Sequence, residues 1–172
     1  MNLINFIDDN TIKNLEVFNF EGWNVRQAVR AILFNDKNQI ALMHIGAYNV
    51  YKLPGGGFEE GEDLNMAFDR EMMEETGCEA EKTSNLGIFI EKRDEWKMIH
   101  VLYCYLAKVL SAGDIQLDSA EQSEVFSLHW IDSIDEAIDL VALNSSDRYD
   151  DKYIRSRDLS ILKFAKEFLI KN

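Results

Sequence analysis

Three glutamates, Glu71, Glu74 and Glu75, are the residues of this chain whose type and spacing most clearly suggest chemistry. Their i, i+3 and i+4 spacing places the three carboxylates on one side of a helix. The same stripe is apolar one turn earlier, at Ala67 and Phe68, and would face the core. Three inward carboxylates repel one another and are costly to desolvate. Either the helix end is solvated, or the glutamates hold a hard divalent cation such as Mg²⁺ or Mn²⁺.

A glycine-rich loop, Leu-Pro-Gly-Gly-Gly at positions 53–57, precedes this helix. Consecutive glycines let the backbone approach a ligand closely, and Pro54 fixes the direction of the chain before them. A glycine run alone is a weak signal, since it also occurs in tight turns. Next to converging carboxylates it predicts an oxygen-rich site for Mg²⁺ or Mn²⁺, built from carboxylate and backbone carbonyl oxygens.

One continuous pattern over residues 56–78 combines the loop and the helix. Gly56 is followed by five residues, Glu62, seven residues, and then Arg-Glu-Met-Met-Glu-Glu-Thr-Gly-Cys at 70–78. The pattern resembles the complete Nudix box, with every defining position matched. The resemblance implies a Nudix-type α/β/α sandwich, with a mixed β-sheet between helices. It also implies hydrolysis of a nucleoside diphosphate linked to another group, X.

The resemblance further implies roles for individual residues of the box. The three glutamates would bind the metal or orient the attacking water, and the Gly55 carbonyl would be an additional metal ligand. Arg70 would be a buttress that pairs with Glu62 or with Glu74 and does not contact the substrate.

Many Nudix proteins use a further carboxylate, from outside the box, as the catalytic base or as an extra metal ligand. Glu121 and Glu124 precede a predicted strand and are the candidates for this role. Of the two we favour Glu124. The alternative is that both are ordinary exposed loop glutamates.

The residues expected to bind the substrate are Arg26, Arg30, Lys52, Gly56 and Phe58. The two arginines share one face of a predicted strand, and Lys52 leads into the glycine loop. Each cation could meet a phosphate, which an acidic protein needs near an anionic substrate. Alternatively, the cations are solvated at a sheet edge or paired with the box carboxylates. Phe58 could stack on a base, although aromatic side chains beside a core usually only pack there.

The choice of substrate also follows from the resemblance. ADP-ribose pyrophosphatases of the family carry a proline after the box, but the only proline of this chain is Pro54. Dinucleoside polyphosphate hydrolases carry a tyrosine near that spacing, where residues 94–96 read Asp-Glu-Trp. The resemblance therefore favours hydrolysis of a nucleoside triphosphate, including oxidised ones, to monophosphate and pyrophosphate. Two alternatives are an ADP-ribose or other nucleotide-sugar pyrophosphatase and a nucleotide-binding sensor without catalysis.

The elements that must position these residues follow from the hydrophobic periodicity, and their interleaving predicts a mixed sheet between helices. Asp63 begins the box helix, and Gly77 ends it at Thr76. A polar stretch at 144–152 is predicted to be a loop. The other predicted elements are strands at 25–34, 39–45, 83–92, 98–109 and 125–131, and helices at 133–143 and 156–170, the last of which has an apolar stripe.

Length and charge set outer limits on the function. The 172 residues predict a single domain over 1–172, with an N-terminal extension at 1–20 and a C-terminal helix at 153–172. The net charge of −13 disfavours binding to duplex nucleic acid. Residues 56–78 hold eight acidic residues and one basic residue, a balance of −7, as expected for a site completed by divalent cations.

The remaining sequence predicts the setting in which the protein works. No stretch approaches the roughly 18 uncharged apolar residues of a membrane helix, so no membrane partner is expected. Residues 1–20 lack the basic start and apolar run of a secretory signal, so we expect a cytoplasmic protein with reduced, buried thiols at Cys78 and Cys104. The partner is a small nucleotide, and the chain is a monomer or a homodimer.

Overall fold

The strands form one sheet that divides into two parts at a hairpin. The computed structural model of the chain describes residues 3–8 and 22–171, and the side chains of 22–171. Within these residues the elements are β1 (Leu3–Asp8), β2 (Asn24–Phe34), β3 (Ile40–Ile45), β4 (Val50–Lys52), α1 (Leu64–Thr76), β5 (Cys78–Arg93), β6 (Met98–Ala112), α2 (Ser119–Ser123), β7 (Phe126–Ile131), α3 (Ile134–Ala142) and α4 (Tyr149–Lys171).

The larger part of the sheet has the order β1-β5-β6-β2 and is mixed. β1 pairs with β5 and β2 pairs with β6 in parallel, whereas β5 and β6 are antiparallel. The smaller part is antiparallel, with β3 between β4 and β7. β2 and β3 pair only where the hairpin closes, at Phe34 and Ile40. The two parts therefore diverge from the hairpin, and one edge of β2 is left open to the glycine loop.

Helices cover both faces of the sheet, which confirms the predicted α/β/α sandwich. α1 packs against the face that carries Val29, Ala31 and Leu33 of β2. α3 and α4 pack against the opposite face, which carries Ala28 and Ile32. The alternation along β2 follows from the two-residue repeat of a strand. No helix within the described residues is long and apolar enough to cross a bilayer.

The box helix begins and ends where the sequence predicts. Asp63 is its N-cap, and the carboxylate accepts hydrogen bonds from the backbone N–H groups of Asn65 (2.8 Å) and Met66 (2.9 Å). At the C-terminus Gly77 takes a left-handed conformation with φ 66°, and its N–H donates to Met73 O at 2.9 Å. These caps fix the two ends of the helix that carries the glutamates.

The C-terminal helix is longer than predicted, because α4 begins at Tyr149 and not at residue 153 or 156. Residues 149–152, predicted to be loop, are therefore helical. Their sequence is polar, but Asp151, Tyr153 and Ile154 are buried in the fold, and tertiary packing overrides the local polar signal. The apolar stripe packs within the chain, with Ile161 buried against the sheet.

Three elements were not predicted from the sequence. β4 has three residues and α2 has five, too few for a periodic pattern. β1 lies within the predicted N-terminal extension and pairs with β5, while residues 9–20 of that extension are outside the described part of the chain. β5 also begins earlier than predicted, at Cys78. The sequence did not indicate this start, because most residues in the first half of β5 are exposed or only partly buried and give no apolar pattern.

Both cysteines are buried free thiols, as predicted. Burial raises the pKa of Cys104 to about 12, so that its thiolate is not populated near neutral pH.

Asp158 of α4 connects the C-terminal helix to the strand that leads into the glycine loop. Its carboxylate accepts from Leu53 N at 2.9 Å and from Arg157 Nε at 2.6 Å, and it is fully buried. We expect Asp158→Ala to lower the free energy of unfolding by about 3–5 kcal/mol, because it leaves a buried N–H without an acceptor and leaves the buried Arg157 guanidinium with only its longer pair to Glu91. Asp135→Ala, which breaks an exposed pair with Lys166, serves as control and should cost less than about 1 kcal/mol. Equal losses in urea unfolding of the two variants would contradict this prediction.

Candidate active site

A polar cleft of about 340 Å³ lies where the two parts of the sheet diverge. The glycine loop lines one wall, held by the open edge of β2 through three backbone hydrogen bonds: Val29 N to Gly56 O (3.0 Å), Ala31 N to Pro54 O (3.1 Å) and Phe58 N to Gln27 O (3.0 Å). The cleft brings together charged residues from the predicted site and from outside it. They are Arg26, Arg30, Lys52, Glu71, Glu75, Arg93, His100, Asp118, Glu121, Glu124, Asp150 and Arg157.

Glu75 ties the box helix to the glycine loop. One carboxylate oxygen accepts from Lys52 Nζ at 2.6 Å and the other accepts from Gly55 N at 2.7 Å. The side chain is about 1% exposed, so both bonds are shielded from water. Glu75 therefore fixes the loop and balances a buried lysine, in addition to lining the cleft.

Glu71 lies directly beneath Gly56. A Cβ added to Gly56 would come within 2.3 Å of Glu71 Oε1 and 2.5 Å of Oε2, so only glycine leaves room for this carboxylate. Burial, followed by the negative charge of Glu75, raises the pKa of Glu71. Both effects disfavour the ionised carboxylate, and a bound cation would reverse them.

Arg70 is the centre of the carboxylate cluster. Its Nε and Nη2 atoms hold both oxygens of Glu62, at 2.7 and 2.9 Å. Nη1 donates to Glu71 Oε1 (2.9 Å) and Glu74 Oε2 (2.8 Å), and Nη2 also donates to Gly57 O (2.8 Å). Both pairings that the resemblance offered as alternatives, with Glu62 and with Glu74, are therefore present. The hydrogen bond to Glu62 contributes most to raising the pKa of Arg70 and lowers that of Glu62.

The donor atoms around Gly56 suit a hard divalent cation in their chemistry. Glu71 is buried with a raised pKa, and Glu74 is partly exposed beside it. As they stand, no three His, Cys, Asp or Glu side chains of the described residues are grouped to hold an ion. Arg70 engages Glu71 and Glu74, while Lys52 and Gly55 engage Glu75. The carboxylates are thus assembled, and cationic or N–H groups satisfy them.

Both carboxylates predicted from outside the box reach the cleft. Glu121 belongs to α2, where its carboxylate accepts from Asp118 N at 2.9 Å in a capping box. Burial and the charge of Glu75 raise the pKa of Glu121 to about 7, although the bond from Asp118 N lowers it. Glu121 also lines a smaller cleft together with Glu71 and Glu74. Glu124 is the C-cap of the same helix and lines only the main cleft.

The model of the NUDIX domain family matches residues 24–151 of the chain, which include the loop, the box helix and both outer glutamates. The chain belongs to the Nudix hydrolase family. The Nudix hydrolase predicted from the box is thereby confirmed. α4 continues for twenty residues beyond the match, from 152 to 171.

Named relatives agree with the assignment at low sequence identity. The chain is 28% identical over 112 residues to "8-oxo-dGDP phosphatase NUDT18" of Danio rerio, a match that covers 63% of this chain and 33% of the relative. The chain therefore corresponds to about a third of that protein's length. Among solved structures, a NUDIX hydrolase from Nitrosomonas europaea has a TM-score of 0.64 at 20% identity, covering 84% of this chain and 90% of that one. The E. coli ORF135 protein has a TM-score of 0.57 at 21% identity, covering 86% and 92%.

The residues predicted to bind substrate in this Nudix domain differ in their exposure, in their partners and in which of the two clefts they line. Arg26 is exposed at the junction of the two clefts, next to Gly57. Lys52 lines the cleft but is paired with Glu75, as the alternative interpretation held. Phe58 is partly buried, packs near Tyr103 with ring centroids 6.0 Å apart, and lines the smaller cleft.

Sequence reasoning missed the inner end of the Nudix cleft. Arg93, His100 and Arg157 line it, and they come from β5, β6 and α4. Buried beside them, Glu91 is bonded to Arg93 and His100. The strand pattern contained a signal for Glu91 and His100, because each is a titratable residue at a core-facing position of a strand. The two residues lie opposite each other on the neighbouring strands β5 and β6. Arg157 had no such signal, since a charged residue on a helix is usually solvated.

Gly56→Ala tests whether the Glu71 carboxylate must remain beneath the loop. The added methyl group displaces the carboxylate, so we expect hydrolysis of a nucleotide substrate to fall by about 100-fold, as misplacement of a catalytic group by about 1 Å does. Gly113→Ala is the control, because its Cβ meets only an ordinary contact at 3.5 Å. Circular dichroism checks that both variants fold. Wild-type activity in folded Gly56→Ala would show that the position of Glu71 is not critical.

Proposed function

We propose that the chain catalyses the Mg²⁺-dependent hydrolysis of a nucleoside diphosphate linked to a group X. A nucleoside triphosphate, including one with an oxidised base, is the favoured substrate and would yield a monophosphate and pyrophosphate. The observation that carries the proposal is the convergence of Glu71, Glu74 and Arg70 on the glycine loop, beside a cleft that is lined by both cations and carboxylates.

Glu71 and Glu74, with Glu75 behind them and the Gly55 carbonyl, would hold Mg²⁺ or Mn²⁺. A bound divalent cation lowers the pKa of a water and neutralises the charge that develops on the phosphate. Arg70 is fixed by its bidentate pair with Glu62, and it donates hydrogen bonds to Glu71 and Glu74. The two carboxylates would therefore be ordered before a cation binds.

Other residues of the chain orient the substrate and move its proton. Arg26, at the junction of the two clefts, is available to a phosphate of the diphosphate. Glu121 has the pKa of a general base suited to neutral pH and would take the proton of the attacking water. The second carboxylate, Glu124, is the competing base and the one that the sequence favours.

The substrate class has support from one relative. The Danio rerio protein is named for 8-oxo-dGDP, which supports a nucleotide with an oxidised base but is a diphosphate and gives no support for a triphosphate. Nucleotide sugars such as ADP-ribose are the alternative substrates. We also propose that residues 1–172 form one Nudix domain, monomeric or homodimeric, acting in the cytoplasm.

A hydrolysis screen tests the proposal. Nucleoside triphosphates with normal and oxidised bases, nucleotide sugars and dinucleoside polyphosphates are each incubated with Mg²⁺ or Mn²⁺, and pyrophosphate, phosphate and nucleotide products are measured. We expect triphosphate turnover that Glu74→Gln abolishes, because a neutral amide is a poor ligand for a hard cation. Glu60→Gln, an exposed change in the same segment, is the control and should retain activity. Full activity of Glu74→Gln at saturating Mg²⁺ would contradict the metal assignment, and a nucleotide sensor would turn over none of the panel.

The pH dependence distinguishes the two candidate bases. A base must be deprotonated, so kcat/KM should fall as the pH drops through about 7, the pKa of Glu121. Glu121→Gln should lower kcat/KM at least about 100-fold and remove this acid limb, while Glu124→Gln leaves the limb in place. The reverse pattern would assign the base to Glu124.

A further inference from the structure

The inner end of the cleft, formed by Arg30, Arg93, His100 and Arg157, has buried polar atoms that no side chain or backbone group of the described residues satisfies. Arg93 is paired with Glu91 and with Asp150. Arg157 is paired with Asp158. Among the side chains described, Arg30 forms no ion pair with a carboxylate. Glu91 Oε1, beside these residues, likewise has no hydrogen-bond partner among the described residues, although Arg157 Nη1 lies 3.7 Å away.

Arg30 is a buried cation with an unmet hydrogen-bond donor. Its side chain lines the cleft, the residue is only about 7% exposed, and Nη1 donates to Val29 O at 2.7 Å. Within the described residues its Nε has no hydrogen-bond partner. Burial, followed by the positive charge of Arg157, lowers the pKa of Arg30 to about 10. A guanidinium remains charged at neutral pH, so this arrangement is costly unless an anion joins it.

His100 has an unmet acceptor at the same end. Its Nδ1 lies 3.2 Å from Glu91 Oε2. Burial raises the pKa of Glu91, but the hydrogen bond from His100 and the charges of Arg157 and Arg93 outweigh it and lower the pKa to about 2. Glu91 is therefore ionised and can only accept hydrogen bonds. Burial lowers the pKa of His100 to about 4, so the ring is neutral with its proton on Nδ1. Nε2 is then an acceptor, and it has no partner among the described residues.

We infer that this inner end binds a phosphate group of the substrate, distinct from the phosphate that faces the box glutamates. A phosphate supplies acceptor oxygens to Arg30, and in its monoprotonated form an O–H for His100 Nε2. A neutral hydroxyl would satisfy the histidine but would not pair with the charge of Arg30, which Asp158, Glu75 and Glu71 offset without direct contact. Arg157, which completes the site from α4, lies beyond the residues that match the family model.

The inference rests on the proposed function and sharpens its substrate class. Substrates with a further phosphate, as in a triphosphate or a phosphorylated X, reach both the box glutamates and the inner end. Diphosphates whose X ends in a neutral sugar leave Arg30 unpaired. We therefore expect selection for a third phosphate, independent of the base.

The experiment measures binding of inorganic phosphate without metal or hydrolysis, so it does not depend on the proposed activity. Wild type, Arg30→Met and Arg148→Met are titrated with phosphate in EDTA at constant ionic strength, by calorimetry and thermal denaturation. Arg148 is the matched control, an exposed arginine stacked on Tyr48 outside the cleft. Arg30→Met should weaken phosphate binding at least about tenfold, since a charge-assisted bond is lost. Without phosphate it should melt at a higher temperature than wild type, because a buried unpaired charge is removed.

Two results would overturn the inference. One is equal stabilisation of wild type and Arg30→Met by phosphate. The other is a lower melting temperature of Arg30→Met with phosphate binding retained, which would make Arg30 a structural residue. If Arg30→Met does not fold, NMR of the wild type replaces this comparison. The Nε–H resonance of Arg30 is identified by its loss in Arg30→Lys and is then followed as phosphate is added. A shift of that signal supports the site, and an unchanged signal excludes it.

Discussion

The attachment of the glycine loop to the open edge of β2 and to Glu75 is the constraint on which the rest of the site depends. β2 supplies backbone hydrogen bonds to the loop because β3 leaves it after a single pairing. Glu75 then holds Gly55 N from the helix side, with Lys52 as its counter-ion. The loop is thereby fixed from two directions, and Glu71 can lie beneath Gly56 with no methyl group in its way.

This arrangement brings acidic and basic side chains together along one cleft. The box helix supplies the acidic groups Glu71 and Glu74. Arg70, which belongs to the same helix, donates hydrogen bonds to both and so reduces the repulsion between them. Arginines from the strands and from α4 line the same cleft, and Arg93 and Arg157 among them are paired with carboxylates. Under the proposed function, a polyphosphate together with divalent cations would complement both sets of charges, which would explain how an acidic protein offers a site to an anion. In the part of the chain that the structure describes, Arg30 Nε, Glu91 Oε1 and His100 Nε2 have no hydrogen-bond partner there, which costs stability unless a ligand satisfies them.

Much of the fold was predictable because its local signals agree with the tertiary result. The capped box helix, the hairpin and the alternating faces of β2 all depend on neighbours within a few residues in the sequence. The start of α4 was not predictable in this way, since residues 149–152 are polar and become helical within a packed structure. The short elements β4 and α2 also depend on distant partners, although α2 delivers Glu121 to the cleft.

The sequence by itself determined the family, the box carboxylates and the need for glycine beside them, because spacing on a helix follows from its fixed geometry. The tertiary structure decided which cations these carboxylates meet. It paired Lys52 with Glu75, left Arg30 without a carboxylate partner among the described residues, and brought Arg157 to the cleft from the other end of the chain. Such pairings depend on long-range contacts between elements, and a single sequence contains no local signal for them.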